Sequence, residues 1–453
     1  MSDPATDKPT VLIVGAGLGG LMLGALLEKQ GVPYNIFERA STVKPLGSGM
    51  AVGPTLLPIF QQLGIYEDFL PLGKRIRYTP FYKESLESYR PTDHIAIEEF
   101  TGYEQYIVAR PKLYELFLKQ VPANKIHFGK RVLNITEEDD KVTVYTNDNG
   151  MHVGDIIVGA DGAYSAVRQR MYDRLKAKGE LPKEDQEDLP FSCTCLVGQT
   201  RILDPVKYPI IKESDCVFPT VLGADKPFSW SVMLTAQGTL CWSVIHHLNE
   251  QTSKAAMEQR FRSNDNAEWG AYPAQIMCDE TRNFPIPLGE GLSTLGDLYD
   301  MAQKDMISKV MLEEKVFTTW HSGRVVLMGD GAVTAMHDAI TLANLIYCMP
   351  TTTAEQVTKV FEEYQEERYS AALVSFKNSQ MMSRFMEKGI IGVIMLYLMT
   401  HMPMWLWRLA LAQTVKIRPQ VGFLPSIPLK GTVMPIISPS EQKAKALFDR
   451  QAA

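Results

Sequence analysis

Residues Thr10 to Gly20 read Thr-Val-Leu-Ile-Val-Gly-Ala-Gly-Leu-Gly-Gly, and the later run Tyr34-Asn-Ile-Phe ends at an acid, Glu38. No other feature narrows the possible folds as sharply. The apolar run predicts a buried strand, the glycines a tight turn, Leu21–Gln30 a helix, and Tyr34–Phe37 a second strand. An acid at the end of that second strand, about twenty residues past the glycines, completes the βαβ fingerprint of a dinucleotide site. Each residue type has a physical task. Gly15 permits the turn, Gly17 lets backbone N–H groups reach a pyrophosphate at the helix N-terminus, and Gly20 lets helix and strand approach closely. Glu38 is placed to accept hydrogen bonds from ribose hydroxyls.

A chain of 453 residues, 45% of them hydrophobic, is long enough for roughly two or three domains with real cores. A net charge of −6, without a concentrated basic footprint, argues against a nucleic-acid partner. The cysteines (Cys193, Cys195, Cys216, Cys241, Cys278 and Cys348) form no CxxC and do not group with histidine, so no metal site is expected. The polar start from Met1 to Pro9 lacks the basic and apolar parts of a secretory signal. Together these predict a reduced, intracellular protein, in the cytosol or on the cytosolic face of a membrane.

Along the chain, a glycine-rich stretch from Pro45 to Pro54 precedes a helix expected around Leu56–Leu63, and Ile76–Phe100 reads as short strands. Arg110 opens a helical pattern with Pro111 near its first position. A buried strand then runs into Asp161-Gly162, and the charged stretch Asp173–Pro190 reads as a solvated linker. Phe191 to about Leu248 carries Val, Thr, Cys, Phe and Trp at strand spacing, which predicts a second, mainly antiparallel domain with Trp230 and Trp242 in its core. The chain returns through Val325-Val-Leu-Met to Gly329-Asp330, then through helices over Ala332–Tyr347 and around Thr353–Gln380. The expected class is α/β: a Rossmann-like domain interleaved with a mainly antiparallel-sheet domain, plus a C-terminal helical apolar segment. His246 and His247 would face opposite sides of a strand, and His337 on an alanine-rich helix reads as packed.

With these motifs in this order, the chain resembles the group A flavoprotein monooxygenases related to para-hydroxybenzoate hydroxylase. Within that group it is most similar to fungal FAD-dependent monooxygenases, including meroterpenoid epoxidases. The resemblance, over roughly Thr10 to Gln380, implies that Gly15, Gly17, Gly20 and Glu38 hold the ADP half of FAD. It implies that Arg110, with Leu113 in an R-x-x-L start, reaches the flavin nucleotide. Asp161 and Gly162 would serve both FAD and the pyridine nucleotide, and Asp330 the ribityl chain. Gly49 and Ala51 in the glycine-rich stretch and Ala332 at the last helix start complete the expected cofactor set. The implied domain plan places FAD-binding parts at 9–75, 105–185 and 318–385. Substrate-domain parts fall at 76–104 and 186–317, with C-terminal hydrophobic helices and tail at 386–453. The implied activity uses NAD(P)H and O2 to hydroxylate or epoxidise a lipophilic substrate through a C4a-hydroperoxyflavin. Such chemistry belongs to the cofactor, so no catalytic side chain is singled out.

Two features stand apart. In the family a longer loop, typically holding a His and a Pro, separates the Gly-Asp from the following helix, whereas here Asp330 runs directly into Gly331-Ala332. That loop passes beside the flavin ring, so its absence bears on ring placement, and the alternatives are a flavin dehydrogenase or reductase of the same fold, or an inactive FAD-binding remnant. The second feature is an uncharged apolar run between Lys388 and Arg408. Residues 389–411, with Trp405 and Trp407 beside basic residues, are expected to touch a membrane that could supply the apolar substrate.

Overall fold

The computed structural model describes residues 8–43, 48–138, 140–187, 191–223, 226–248, 268–269, 271–289, 291–313, 315–329, 331–385, 394, 397–398 and 401–453. Strand β1 (Val11–Val14) is apolar along its whole length and buried along it, as a parallel strand covered on both faces must be. Helix α1 (Leu18–Gln30) follows, then β2 (Tyr34–Phe37), parallel to β1 with Val11 opposite Tyr34 and Val14 opposite Phe37. On the other side of β1 lies β5 (Ile156–Gly159), reached after β3 (Gly49–Val52) and β4 (Tyr106–Ala109), and beyond it β6 (Val325–Leu327). The sheet runs His321–Ser322, β6, β5, β1, β2, Ile126–His127, with one antiparallel edge pair.

α1 buries nearly its entire circumference because it lies between this sheet and α4 (Ala332–Tyr347), after α2 (Arg110–Leu118) and α3 (Ala166–Lys178). Contact is close where both helices carry small residues: a Cβ on Gly19 would stand 2.7 Å from the Cβ of Ala335. The long α5 (Ala354–Phe385) covers α4 from outside.

A seven-stranded sheet forms the second core, ordered Glu268–Trp269, Ser308–Glu313, Phe191–Gln199, Leu240–His247, Phe228–Leu234, Thr220–Leu222, Phe81–Lys83. All its pairs are antiparallel except that between Thr220–Leu222 and Phe81–Lys83. Trp230 and Trp242 are fully buried in it, as their strand spacing predicts. A three-stranded sheet of β3, β4 and Gly73–Arg75 stands between the two large sheets, and its Ile107 packs with Met233 and Ile76 in the second core.

Three local expectations change. Residues 76–100 supply only short strands, and Ile95–Thr101 is a helix ended by Gly102 at φ +72°. The charged stretch after Asp173 is not a free linker. α3 continues to Lys178, and Asp185, 4% exposed, accepts hydrogen bonds from Thr318 N at 2.9 Å, Thr318 Oγ1 at 2.8 Å and Thr319 N at 2.8 Å. A charge run reads as solvated only until one member finds buried backbone donors. Of the apolar run 389–411, residues 389–393, 395–396 and 399–400 lie outside the described residues. Its described part enters α6 (Met404–Thr414), which is held to the Ile95–Thr101 helix by Arg408–Glu99 at 2.7 Å and leaves Trp405 and Leu409 exposed. Among the described residues no helix is long and apolar enough to cross a membrane. The chain ends in α7 (Pro439–Ala452), packed on α4.

Candidate functional site

Four separated stretches of sequence converge at the carboxyl ends of β1 and β5, where an open parallel sheet places its ligands. Gly15 leaves β1 at φ +107°, and a Cβ there would stand 2.4 Å from the Ala160 carbonyl oxygen, so only glycine can make this turn. Gly20 lies one turn into α1, where a Cβ would be 2.1 Å from the Gly15 oxygen. Gly20 therefore packs helix against strand and does not line the cleft, while a Cβ on Gly17 would meet only open space. No side chain caps the N-terminus of α1, so its backbone N–H groups face the cleft as an anion site.

The cleft has a volume of about 1010 Å³ and runs from Glu38 at one end past this helix start to α4 at the other. The Glu38 carboxylate is fixed by two backbone donors, Ala16 N to Oε2 and Ala40 N to Oε1, each at 2.9 Å. A carboxylate has about four acceptor positions, so capacity remains for a bound hydroxyl. Arg110 is held at the mouth by its own backbone, which donates to Ser48 O at 2.9 Å from the end of β4. Tyr114, one turn further along α2, brings its ring into the same wall.

On the opposite side, Asp161 and Gly162 follow β5. Asp161 Oδ2 accepts from Ala166 N at 2.6 Å and so ties down the start of α3, which Ser165 also caps through Arg168 N at 2.9 Å. Asp161 Oδ1 is buried without a partner, and burial raises the carboxyl above its usual pKa. At the α4 end, Gly329, Ala332 and Ala335 form the lining. The Gly329 N–H donates to Asp338 Oδ2 at 2.8 Å, and Asp338 is paired with Arg368 at 2.7 Å, both nearly inaccessible. This buried pair braces the backbone at Gly329, in the lining of the cleft. His337, on the same helix, is packed and its Nε2 lies 3.0 Å from Thr55 O. Burial drives its pKa down to about 4, so it stays neutral.

Of the residues singled out from sequence, Gly15, Gly17, Glu38, Arg110, Asp161, Gly162 and Ala332 line one cleft, and Asp330 lies outside the described residues. Gly49 and Ala51 sit on β3, opposite Ala109 and Ile107, and not in the cleft lining; a Cβ on Gly49 would press on Met233 Sδ at 2.8 Å. Sequence reasoning missed Tyr114, Tyr164 and Gln169 of the lining and the Asp338–Arg368 brace. Tyr114 had a usable signal, four residues after Arg110 and thus on the same helix face. No histidine or cysteine lines the cleft among the described residues. The lining combines an uncapped helix start, a fixed acid and a cation, which suit a dinucleotide such as FAD.

Comparison with known proteins points the same way. Residues 8–188 match the FAD binding domain family. The chain is 28% identical over 415 residues to the FAD-dependent monooxygenase paxM of Penicillium paxilli, covering 84% of this chain and 80% of that protein. It is 24% identical over 445 residues to the FAD-dependent monooxygenase atmM of Aspergillus flavus, covering 92% and 87%. Among solved structures it matches Klebsiella pneumoniae HpxO complexed with FAD and uric acid (TM-score 0.65, 18% identity, 90% of this chain and 96% of that one). It also matches the tetracycline destructase Tet(51) (TM-score 0.60, 14% identity, 85% and 93%). At such identities these two structures speak for the shared fold.

Proposed function

This chain is a flavoprotein oxidoreductase homologous to the fungal FAD-dependent monooxygenases, and from that premise we propose that it uses NAD(P)H and O2 to hydroxylate or epoxidise an apolar organic molecule. The observation that carries the reading is the single cleft that gathers Gly15, Gly17, Glu38, Arg110, Asp161, Gly162 and Ala332 from distant parts of the chain. Glu38 would accept the ribose hydroxyls of the adenosine, and the start of α1 would face the pyrophosphate. Arg110 and Asp161-Gly162 would hold the flavin nucleotide, with Ala332 and, on sequence grounds, Asp330 beside the ribityl chain.

FAD, once bound, supplies the redox chemistry, accepting reducing equivalents and activating oxygen. The protein's tasks are to bind, to orient and to exclude water. The cleft lining suits this division of labour, joining the glycine turn and helix start of α1 to charged groups, Glu38, Arg110 and Asp161, that can hold a dinucleotide in place. α4 presents its N-terminal turn at the cleft end, where the helix dipole favours negative charge.

The test is turnover of the purified, FAD-reconstituted protein with NADPH or NADH and isotopically heavy O2, offered a panel of apolar isoprenoid and aromatic compounds. The reading expects compound-stimulated pyridine-nucleotide oxidation and one heavy oxygen atom in the product. Pyridine-nucleotide oxidation that proceeds equally without oxygen identifies a reductase or dehydrogenase. Failure to retain any flavin identifies a remnant.

A further inference from the structure

Half of the strongly exposed large apolar side chains among the described residues lie between Ile394 and Ile437. α6 packs Leu411 and Ala412 on the Ile95–Thr101 helix and turns Trp405, Leu406 and Leu409 outward, with Trp405 68% exposed. The tail then returns beside it. Ile436 N donates to Lys416 O at 2.9 Å, which brings the exposed Met434 and Ile436 to the exposed Ile417 just past α6. The run read from sequence thus supplies only part of this face. An apolar surface assembled from two chain segments marks an interaction site, where single exposed residues would not.

Charge says what the face fits. From Lys388 to Ser440 the chain holds no aspartate or glutamate, and its charged residues are Lys388, Arg408, Lys416, Arg418 and Lys430. Arg408 is directed inward, donating to both oxygens of Glu99 at 2.7 Å, and Arg418 is buried against the Phe100 and Val433 carbonyls. Among the described residues Lys416 and Lys430 make no ion pair. An acid-free apolar surface with unpaired lysines complements anionic headgroups above an apolar interior. With eleven residues α6 is too short to span a bilayer, yet it suits a helix lying in the interface.

We propose that α6 and the tail around Met434 and Ile436 form a docking surface for a bilayer that carries anionic phospholipid. Trp405 and Leu409 enter the acyl boundary, and Lys416 and Lys430 meet the headgroups. The surface does not depend on what fills the cleft, and a bilayer is where an apolar substrate concentrates. The test is flotation of the full-length protein through a density gradient. It is mixed with vesicles of phosphatidylcholine alone or of phosphatidylcholine with phosphatidylserine. The protein is expected to float with the serine-containing vesicles, and Lys416→Gln and Lys430→Gln each to weaken that binding about fivefold. Replacing Trp405 and Leu409 together by serine lowers it at least about tenfold, with the thermal midpoint unchanged because both side chains face solvent. Serine at Ile202 and Val206, exposed apolar residues in the loop after Phe191–Gln199, leaves binding as in the wild type. Wild-type protein that floats with neither vesicle, or a Trp405→Ser, Leu409→Ser variant that floats as well as the wild type, overturns the proposal. Equal flotation on phosphatidylcholine alone overturns the role of the lysines. A dimer in light scattering that the same double variant dissolves also overturns the proposal, since a second copy then covers the face.

Discussion

At the residue scale, the site depends on positions where a single added carbon has nowhere to go. A Cβ at Gly15 or Gly20 meets a backbone carbonyl oxygen, and Gly15 also needs φ +107°. Gly15→Ala is therefore expected to lose about 2 kcal/mol or more of stability, measured by denaturant titration, and Gly20→Ala to behave similarly. Gly17→Ala should leave stability nearly unchanged, since its Cβ meets only open space, and lower FAD affinity instead. This contrast explains what the glycine pattern made legible and what it hid. Residue types and spacing announced the turn, the helix start and Glu38, because glycine and a strand-end acid have few other reasons to occur together. Tyr164 and Gln169 of the lining were hidden, because tyrosine and glutamine are common in ordinary surfaces and only the folded cleft brings them in.

At the level of elements, α4 connects the site to the rest of the fold. Its Asp338 ties Gly329 at the cleft to Arg368 on α5. Arg368→Met would strand a buried carboxylate, and a loss of about 3–5 kcal/mol is expected in denaturant titration. His337 on the same helix carries a pH signature. Its folded pKa, about 4, lies below the usual 6.5, so the unfolded chain binds the extra proton first. Its contribution is present above pH 6.5 and is lost as the pH falls toward about 4. His337→Gln should flatten that part of the stability profile, read from thermal midpoints across pH. The helix boundaries Ala332–Tyr347 were legible from an apolar pattern ending near proline, whereas the brace linking residues 338 and 368 was not, since no local periodicity encodes a tertiary partner. The stretch after Asp173 shows the converse, where high charge suggested a linker and the burial of Asp185 against Thr318 and Thr319 made it part of the fold.

For the whole molecule, two sheets with separate cores meet through the small sheet of β3 and β4, where Gly49 touches Met233. The alternation of Rossmann-like and antiparallel patterns was legible in sequence, because strand length, β-branched content and glycine punctuation differ between the two sheets. How they join was not, because Gly49 reads as a loop glycine until Met233 is seen above it. Gly49→Val should lower the thermal midpoint by disturbing this junction, while FAD affinity of the folded variant stays within about twofold of wild type. The central claim is that the cleft beginning at Gly15 holds the adenosine half of FAD against Glu38. Titration of wild-type and Glu38→Ala apoprotein with FAD, with folding of both verified by circular dichroism, tests it most directly. The account predicts tight binding by the wild type and affinity reduced at least about tenfold in the variant; equal affinity in the two proteins would contradict it.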